Sequence, residues 1–323
     1  MTEVKLKYVY GPVPSRRLGL SLGVDLLPHK TCTLNCVYCQ LGPTNALTVE
    51  RRAYVPIERV VAEVASALRE RPTPDFITIS GSGEPTLHSG LGELIDGLRS
   101  VTHLPIAIIT NGTLLWVPEV RAACAKADVV LPSLDAGDDR AFARVNRPHP
   151  DITFERLVSG LKAFRQEYEG QIWLEVFIVK GVTDTPEAVQ KIADIVKEIS
   201  PDRVQLNTAL RPTAEAALEP VGEERMEELA RLFVPPAEVV ADYQGLHRPA
   251  LSVVEGKGRS SARAEEVLAL VSRRPATVED LSAGLGLSAD EVVKLVDELR
   301  RAGTLSTELR SGQRYYRRAP KGR

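Results

Sequence analysis

Sulfur is scarce in this chain, with four cysteines and two methionines among 323 residues. No apolar run reaches the ~18–20 residues that a membrane-spanning helix needs. The opening segment, Met1-Thr-Glu-Val-Lys-Leu-Lys, lacks the apolar core of a signal peptide. These absences point to the cytoplasm, where thiols stay reduced and free to hold metal. Also missing are a phosphate-binding P-loop, a serine–histidine–aspartate set, and any paired carboxylates that rival the cysteines as a reaction centre.

What remains is an ordinary globular composition, 43% hydrophobic and 26% charged, with room for two domains. The net charge of −2 gives no nucleic-acid signal for the whole molecule. Its distribution is uneven, because residues 1–260 hold 29 Lys/Arg against 34 Asp/Glu, whereas residues 261–323 hold 12 against 9. From Arg310 to Arg323 there are six basic side chains and no acidic one. A solvated tail explains that excess, and so does a separate role for the C-terminal part.

Strand-length apolar runs alternate with helical patterns from about residue 20 to 240. Ser21 to Leu27, Phe76 to Ser80, Ile106 to Thr110, Val129 to Ser133, Ile172 to Val179 and Val204 to Asn207 read as strands. Between them, Pro56 to Glu70 carries apolar Ile57, Val60, Val61, Val64, Ala65 and Leu68 at helical spacing. Leu91 to Arg99, Glu119 to Lys126, Phe154 to Tyr168 and a segment opened by Thr185-Pro-Glu follow the same rule. About six such units predict an α/β fold with a parallel sheet, either a partial (β/α)6 TIM-type barrel or a doubly wound sheet. In barrel folds chemistry collects at the C-terminal ends of the strands, where the polar motifs of this chain lie. The division expected is a barrel domain over residues 1–245, a linker over 246–262 and a second domain over 263–323. The last reads as helices Ala264 to Arg273, Thr277 to Ala283 and Ser288 to Ala302, then two short strands around Ser311-Gly-Gln. Three helices and a hairpin of this length resemble a winged helix.

Three of the four cysteines, Cys32, Cys36 and Cys39, fall in one eight-residue window. Three thiolates so close can hold three corners of a cubane iron–sulfur cluster and leave the fourth iron open. Structural zinc wants four closed ligands, commonly from two knuckles, and no second knuckle exists here. His29 is near enough in sequence to be considered as a fourth ligand, but its approach is awkward. Buried free thiols are a further alternative, and Cys124, in a helical segment, suits that reading.

The cysteine window resembles the signature of the radical S-adenosylmethionine (SAM) superfamily. The resemblance covers residues 1 to about 240. It implies one [4Fe-4S] cluster on Cys32, Cys36 and Cys39, with SAM chelated at the open iron. It also implies reductive cleavage of SAM to a 5′-deoxyadenosyl radical that abstracts a substrate hydrogen, with the electron coming from a donor of flavodoxin or ferredoxin type. Tyr38 resembles the aromatic residue beside the adenine. Gly81-Ser-Gly-Glu-Pro85 resembles the glycine-rich motif in which the backbone of Gly81 and Gly83, with Glu84, holds the SAM amino group. Asn111, Ser133 and Asp135 stand where family members contact the ribose or methionine part, and Asn207 lies on the adenine side. Tyr10 to Gly19, Cys36 to Gly42, Ser80 to Leu87, Asn146 to His149 and Leu206 to Pro212 are similar to the group related to tRNA wyosine-base synthases. The second cysteine cluster of those enzymes is missing, which implies a relative with a different substrate.

Arg16, Arg17, Lys30, Arg147, His149, Lys180 and Arg211 are the basic residues expected near the rim. Arg16, Arg17, Glu175, Lys180 and Arg211 are the candidate substrate contacts among the charged residues. The leading functional expectation is a radical SAM enzyme acting on tRNA or another nucleic acid, with the winged helix as the nucleic-acid module. Acidic Asp290, Glu291, Asp297 and Glu298 on its third helix oppose that use. A radical SAM enzyme for a protein, peptide or small molecule is the second reading, and a cluster-sensing regulator the third.

Overall fold

The computed structural model describes residues 6–243 and 260–319. In chain order its first elements are β1 (Val9–Ser15), β2 (Gly19–Val24), β3 (Thr31–Cys32), β4 (Ala46–Leu47), α1 (Ile57–Glu70), β5 (Phe76–Ile79), α2 (Leu91–Val101) and β6 (Ile106–Ile109). Then come α3 (Pro118–Cys124), β7 (Val129–Leu131), α4 (Asp139–Val145), α5 (Phe154–Glu167), β8 (Gln171–Phe177), α6 (Pro186–Ile199), β9 (Arg203–Asn207), α7 (Glu223–Ala230) and β10 (Glu238–Val239). The C-terminal part contributes α8 (Ser260–Val271), α9 (Val278–Leu285), α10 (Ala289–Arg301), β11 (Leu305–Arg310) and β12 (Gln313–Arg318).

The fold is α/β with a mixed eight-stranded sheet in the order β1-β2-β5-β6-β7-β8-β9-β10. β1 runs antiparallel to β2, and every other neighbouring pair is parallel. Parallel strands buried on both faces need continuous apolar runs, which Phe76-Ile-Thr-Ile79 and Ile106-Ala-Ile-Ile109 supply. Helix α1 presents Ile57, Val60, Val64 and Ala67 to the core at three- and four-residue intervals. Helix α6 does the same with Val189, Ile192, Ala193 and Val196, and its N-cap Thr185 accepts from Ala188 N. Loops at the C-terminal ends of the parallel strands then carry the polar motifs to one rim.

The turn that leads from Glu84 into α2 is pinned by His88, whose side chain is buried. Its Nδ1 accepts from Gly90 N at 3.0 Å, so the neutral ring carries its proton on Nε2, 3.0 Å from the Val55 carbonyl. Burial lowers its pKa below the ordinary 6.5, and the nearby carbonyl and Glu93 only partly oppose this. The unfolded chain therefore takes up this proton at higher pH than the folded chain. The stability due to neutral His88 is full above about pH 6.5 and is lost as pH falls below it. Urea midpoints measured at about pH 7.5 and 5.5 should drop less for His88→Asn than for wild type. Equal drops in the two proteins would contradict this role.

Strand β1 departs from the sequence-based expectation, which started the sheet at Ser21. Pro12 and Pro14 within it argue against an interior strand, but an edge strand tolerates proline. Helix α4 is also additional, because it is short and buries only Phe142 and Val145, too few for a visible period. Most of the linker expected over 246–262 lies outside the described residues, and α8 begins at Ser260, three residues inside that span. Helices α8, α9 and α10 with the β11–β12 hairpin enclose their own core of Val267, Leu281, Val292, Val296 and Tyr316. Tyr10 and Val13 of β1 pack against that core, so the C-terminal unit is docked on the edge of the sheet. No helix among the described residues is long and apolar enough to cross a membrane.

Candidate active site

After β2 the chain turns through Asp25 to Leu27 and enters the cysteine loop. Lys30 adopts a left-handed conformation (φ 59°) and is buried, and Cys32 closes the short β3. The thiols of Cys32, Cys36 and Cys39 are half-buried, whereas Cys124 is fully buried. Each of the three has its own donor from a different segment. Lys30 Nζ lies 2.9 Å from Cys39 Sγ, Asn111 Nδ2 3.5 Å from Cys32 Sγ, and Asn146 Nδ2 3.5 Å from Cys36 Sγ. Burial pushes the Cys32 thiol up to about 12, with Glu84 adding to the rise, and raises Cys36 well above its ordinary value. Deprotonation of such thiols needs a compensating positive charge, which a bound metal centre provides. Among the described residues no three His, Cys, Asp or Glu side chains are placed to hold a single metal ion. A cluster puts each thiolate on a different iron, so these separated thiols with N–H donors aimed at sulfur fit it.

Two buried carboxylates organise the rim around the thiols. Glu84 N-caps a short 3₁₀ turn, Pro85–Leu87, and its Oε1 accepts from Thr86 N, Thr86 Oγ1 and Thr110 Oγ1 at 3.1, 2.6 and 2.6 Å. Its Oε2 accepts from Asn111 N at 2.7 Å. Burial raises the pKa of Glu84, and those same four bonds pull against the rise. Asp135 lies across the rim. It accepts from the Tyr38 hydroxyl, from Asn146 Nδ2 at 2.7 Å and from Phe177 N at 2.9 Å. Burial moves its pKa up to about 6 against those donors. The Tyr38 ring stacks on Phe177 with centroids 3.9 Å apart and planes within 10°. A flat aromatic pair thus stands beside Cys39.

A third group centres on Glu175 of β8. It pairs with Arg17 and accepts from Asn207 Nδ2 at 3.0 Å, and Ser133 bridges to its backbone. Burial alone would raise its pKa, but Arg17, Asn207 and Arg16 outweigh it and the net shift is downward. Arg16 and Arg17 do not come from a rim loop as expected. They form the turn between antiparallel β1 and β2, at the end of β2 opposite the cysteine loop. Their long side chains nevertheless reach Val240 O (2.9 Å) and Glu175. Burial, followed by neighbouring Arg211 and Arg17, lowers the pKa of Arg16 to about 10. A narrow crevice lined by Arg16, Gln40, Thr208, Arg211 and, from β12, Gln313 and Tyr315 adjoins this group.

Several residues singled out from sequence have other roles. Arg211 is held by the C-terminal unit, 2.9 Å from Pro275 O and 3.3 Å from Asp280. Lys180 is exposed and pairs with Glu219. His29 is exposed, and His149 Nδ1 accepts from Asp151 N at 3.2 Å. The glycine motif is expected to hold a ligand with its backbone, and its glycines are also needed for the protein's own packing. A Cβ on Gly83 would lie 1.9 Å from Thr31 O, and one on Gly81 (φ +144°) 2.5 Å from Asp25 Cγ. Asn146, Phe177, Thr33 and Thr113 complete the site without having been predicted as contacts. Asn146 opened a motif segment quoted for the resemblance, which was the available signal.

The family model described as the radical SAM superfamily matches residues 26–196. A UPF0026 protein of Methanocaldococcus jannaschii is 33% identical over 90% of this chain and 90% of its own length. A protein of Brachyspira hyodysenteriae named GTPase Obg is 36% identical over 96% of this chain, which spans only 45% of that protein. The structure of native anSMEcpe with bound AdoMet has 17% identity and a TM-score of 0.50, over 80% of this chain and 68% of that one. The chain belongs to the radical SAM superfamily, whose members bind a [4Fe-4S] cluster and SAM.

Proposed function

We propose that the chain is a radical SAM enzyme that cleaves SAM reductively, abstracts hydrogen from its substrate and modifies a nucleic acid. The observation that carries the enzymatic part is the set of three thiols, each with its own N–H donor, on a rim shared with Glu84 and Asp135. When bound, the cluster and SAM supply one-electron reduction and a 5′-deoxyadenosyl radical. The protein's share is holding and shielding. Cys32, Cys36 and Cys39 would hold three irons, and their donors stabilise negative charge on sulfur, which favours reduction. The Tyr38–Phe177 pair offers a face for the adenine, fixed in angle by Asp135. Ser133, Asn111 and Asn207 offer polar atoms to the rest of SAM, and Arg17–Glu175 would face the substrate side.

The architecture supports reading the sheet as a partial six-unit barrel and the C-terminal unit as a winged helix. For the substrate, exposed Lys294 and Arg301 on α10 and Arg314 and Arg318 on β12 support nucleic acid, which is attracted through phosphate. The test is anaerobic reconstitution followed by reduction in the presence of SAM. Formation of 5′-deoxyadenosine is expected, and its absence with every candidate substrate would sink the enzymatic reading. Binding of tRNA should weaken with salt and on replacing Arg314 and Arg318 with glutamine. Indifference to both, with turnover on peptides, would reassign the substrate to a peptide.

A further inference from the structure

The C-terminal unit reaches the glycine loop through one buried ion pair. Arg273 follows α8, and its Nε lies 2.9 Å from Asp25 Oδ2, with side-chain exposures of only 12% and 5%. Its other nitrogens bond Ala269 O at 2.9 Å and Lys7 O at 3.2 Å, and its guanidinium lies 4.6 Å from the centroid of the Tyr10 ring. Asp25 in turn accepts from Ser82 N at 3.0 Å and from Ser82 Oγ at 2.6 Å. Ser82 is the middle residue of Gly81-Ser-Gly-Glu84. Its carbonyl accepts from Lys30 N at 2.6 Å, and Lys30 Nζ donates to Cys39 Sγ. Gly83 forms a bridge to Thr31, the residue before Cys32. A line of contacts therefore runs from the C-terminal unit through Asp25, Ser82 and the backbone and side chain of Lys30 to a cluster thiol.

We infer that Arg273 is a positioning residue for SAM: by neutralising Asp25 it fixes Ser82, and with it the glycine loop and Lys30. This rests on the SAM-binding reading of the site. Removing one partner of a buried pair leaves an uncompensated charge, which must be relieved by water or by movement of its neighbours. Ser82 is the neighbour that Asp25 holds by two bonds. Tyr10 couples to the same loop, since its hydroxyl lies 3.1 Å from Ser80 Oγ. The C-terminal unit is thus part of the SAM site as well as a separate module.

The test uses the full chain, reconstituted with cluster, and reads SAM affinity together with the change in the reduced cluster's electron paramagnetic resonance signal on SAM addition. Arg273→Gln should weaken SAM binding roughly tenfold, the scale of one lost charge-assisted hydrogen bond. It should also alter the SAM-induced spectral change while retaining iron. Arg273→Lys should recover part of the affinity. Asp25→Asn attacks the same link from the barrel side, so its effect and that of Arg273→Gln should be non-additive in the double variant. Arg71→Gln is the docking control, because Arg71 pairs with Glu266 of α8 without touching Asp25. Unchanged affinity and spectrum in Arg273→Gln and Asp25→Asn would overturn the inference. So would losses matched by Arg71→Gln, because docking in general would then explain them. Failure of the wild-type protein to bind SAM would instead remove the reading on which the inference stands.

Discussion

Replacing Cys36 with alanine should abolish retention of the iron–sulfur cluster, and Cys32→Ala and Cys39→Ala should do the same. Two thiolates cannot hold a cubane that has one iron already open, and no neighbouring cysteine is spare. Cys124, the remaining one, is completely buried in the main core. Alanine is the informative choice because serine keeps an oxygen that can ligate iron. Cys32 and Cys36 are half-buried and pack only against the margin of the core, so the apo forms of these variants should lose about 1 kcal/mol or less in stability, far short of explaining a complete loss of iron. Cys124→Ala should instead keep full iron content and lose about 1 kcal/mol from a small core cavity. Iron and sulfide analysis with the visible absorption of the cluster measures retention, and urea denaturation measures stability. A Cys36→Ala protein that keeps wild-type iron would remove the thiol triad from the site.

The strands that carry the site were legible because parallel strands buried on both faces need unbroken apolar runs, and these residues form them. The positions of Cys32, Glu84, Asn111 and Asp135 at strand ends followed from that alternation alone. What could not be read were the relations that depend on long side chains and on docking. Arg17 belongs to a turn at the far end of β2 and still meets Glu175, 158 positions later in the chain. No local pattern encodes that reach. Arg211 had the composition of a substrate contact, but the C-terminal unit claims it, and only the docked arrangement reveals Asp280 as its partner. Glycines 81 and 83 read as an approach to a ligand, and their close approach to Thr31 O and Asp25 was not legible, because both partners lie in a segment about 50 residues earlier. Strand β1 was hidden by its prolines, which signal a break unless the strand is known to lie at an edge.

Glu84 is where the fold and the site depend on the same atoms, and its replacement should be the most destabilising change at the rim. All four of its partners are donors: Thr86 N, Thr86 Oγ1, Thr110 Oγ1 and Asn111 N. Glutamine is therefore no conservative substitute. Whichever way its amide turns, an NH₂ group faces at least one donor that had an acceptor before. Threonine hydroxyls can rotate toward other acceptors, but the backbone N–H groups of Thr86 and Asn111 cannot. Two stranded buried donors cost roughly 2–6 kcal/mol. Glu84→Ala should lose stability on that scale in urea denaturation of the apo protein, and Glu84→Gln, which strands one of the two backbone donors, about half as much. A loss under about 1 kcal/mol would show that water or backbone movement replaces the carboxylate. The consequence reaches the thiols, because the Asn111 side chain donates to Thr33 Oγ1 at 2.8 Å as well as to Cys32 Sγ. Freed from Glu84, Asn111 loses the backbone anchor that aims its amide, so a refolded variant should hold its cluster less firmly and release iron to a chelator faster than wild type. Unchanged chelation rates in a destabilised variant would separate the two roles and leave Glu84 as a structural brace alone.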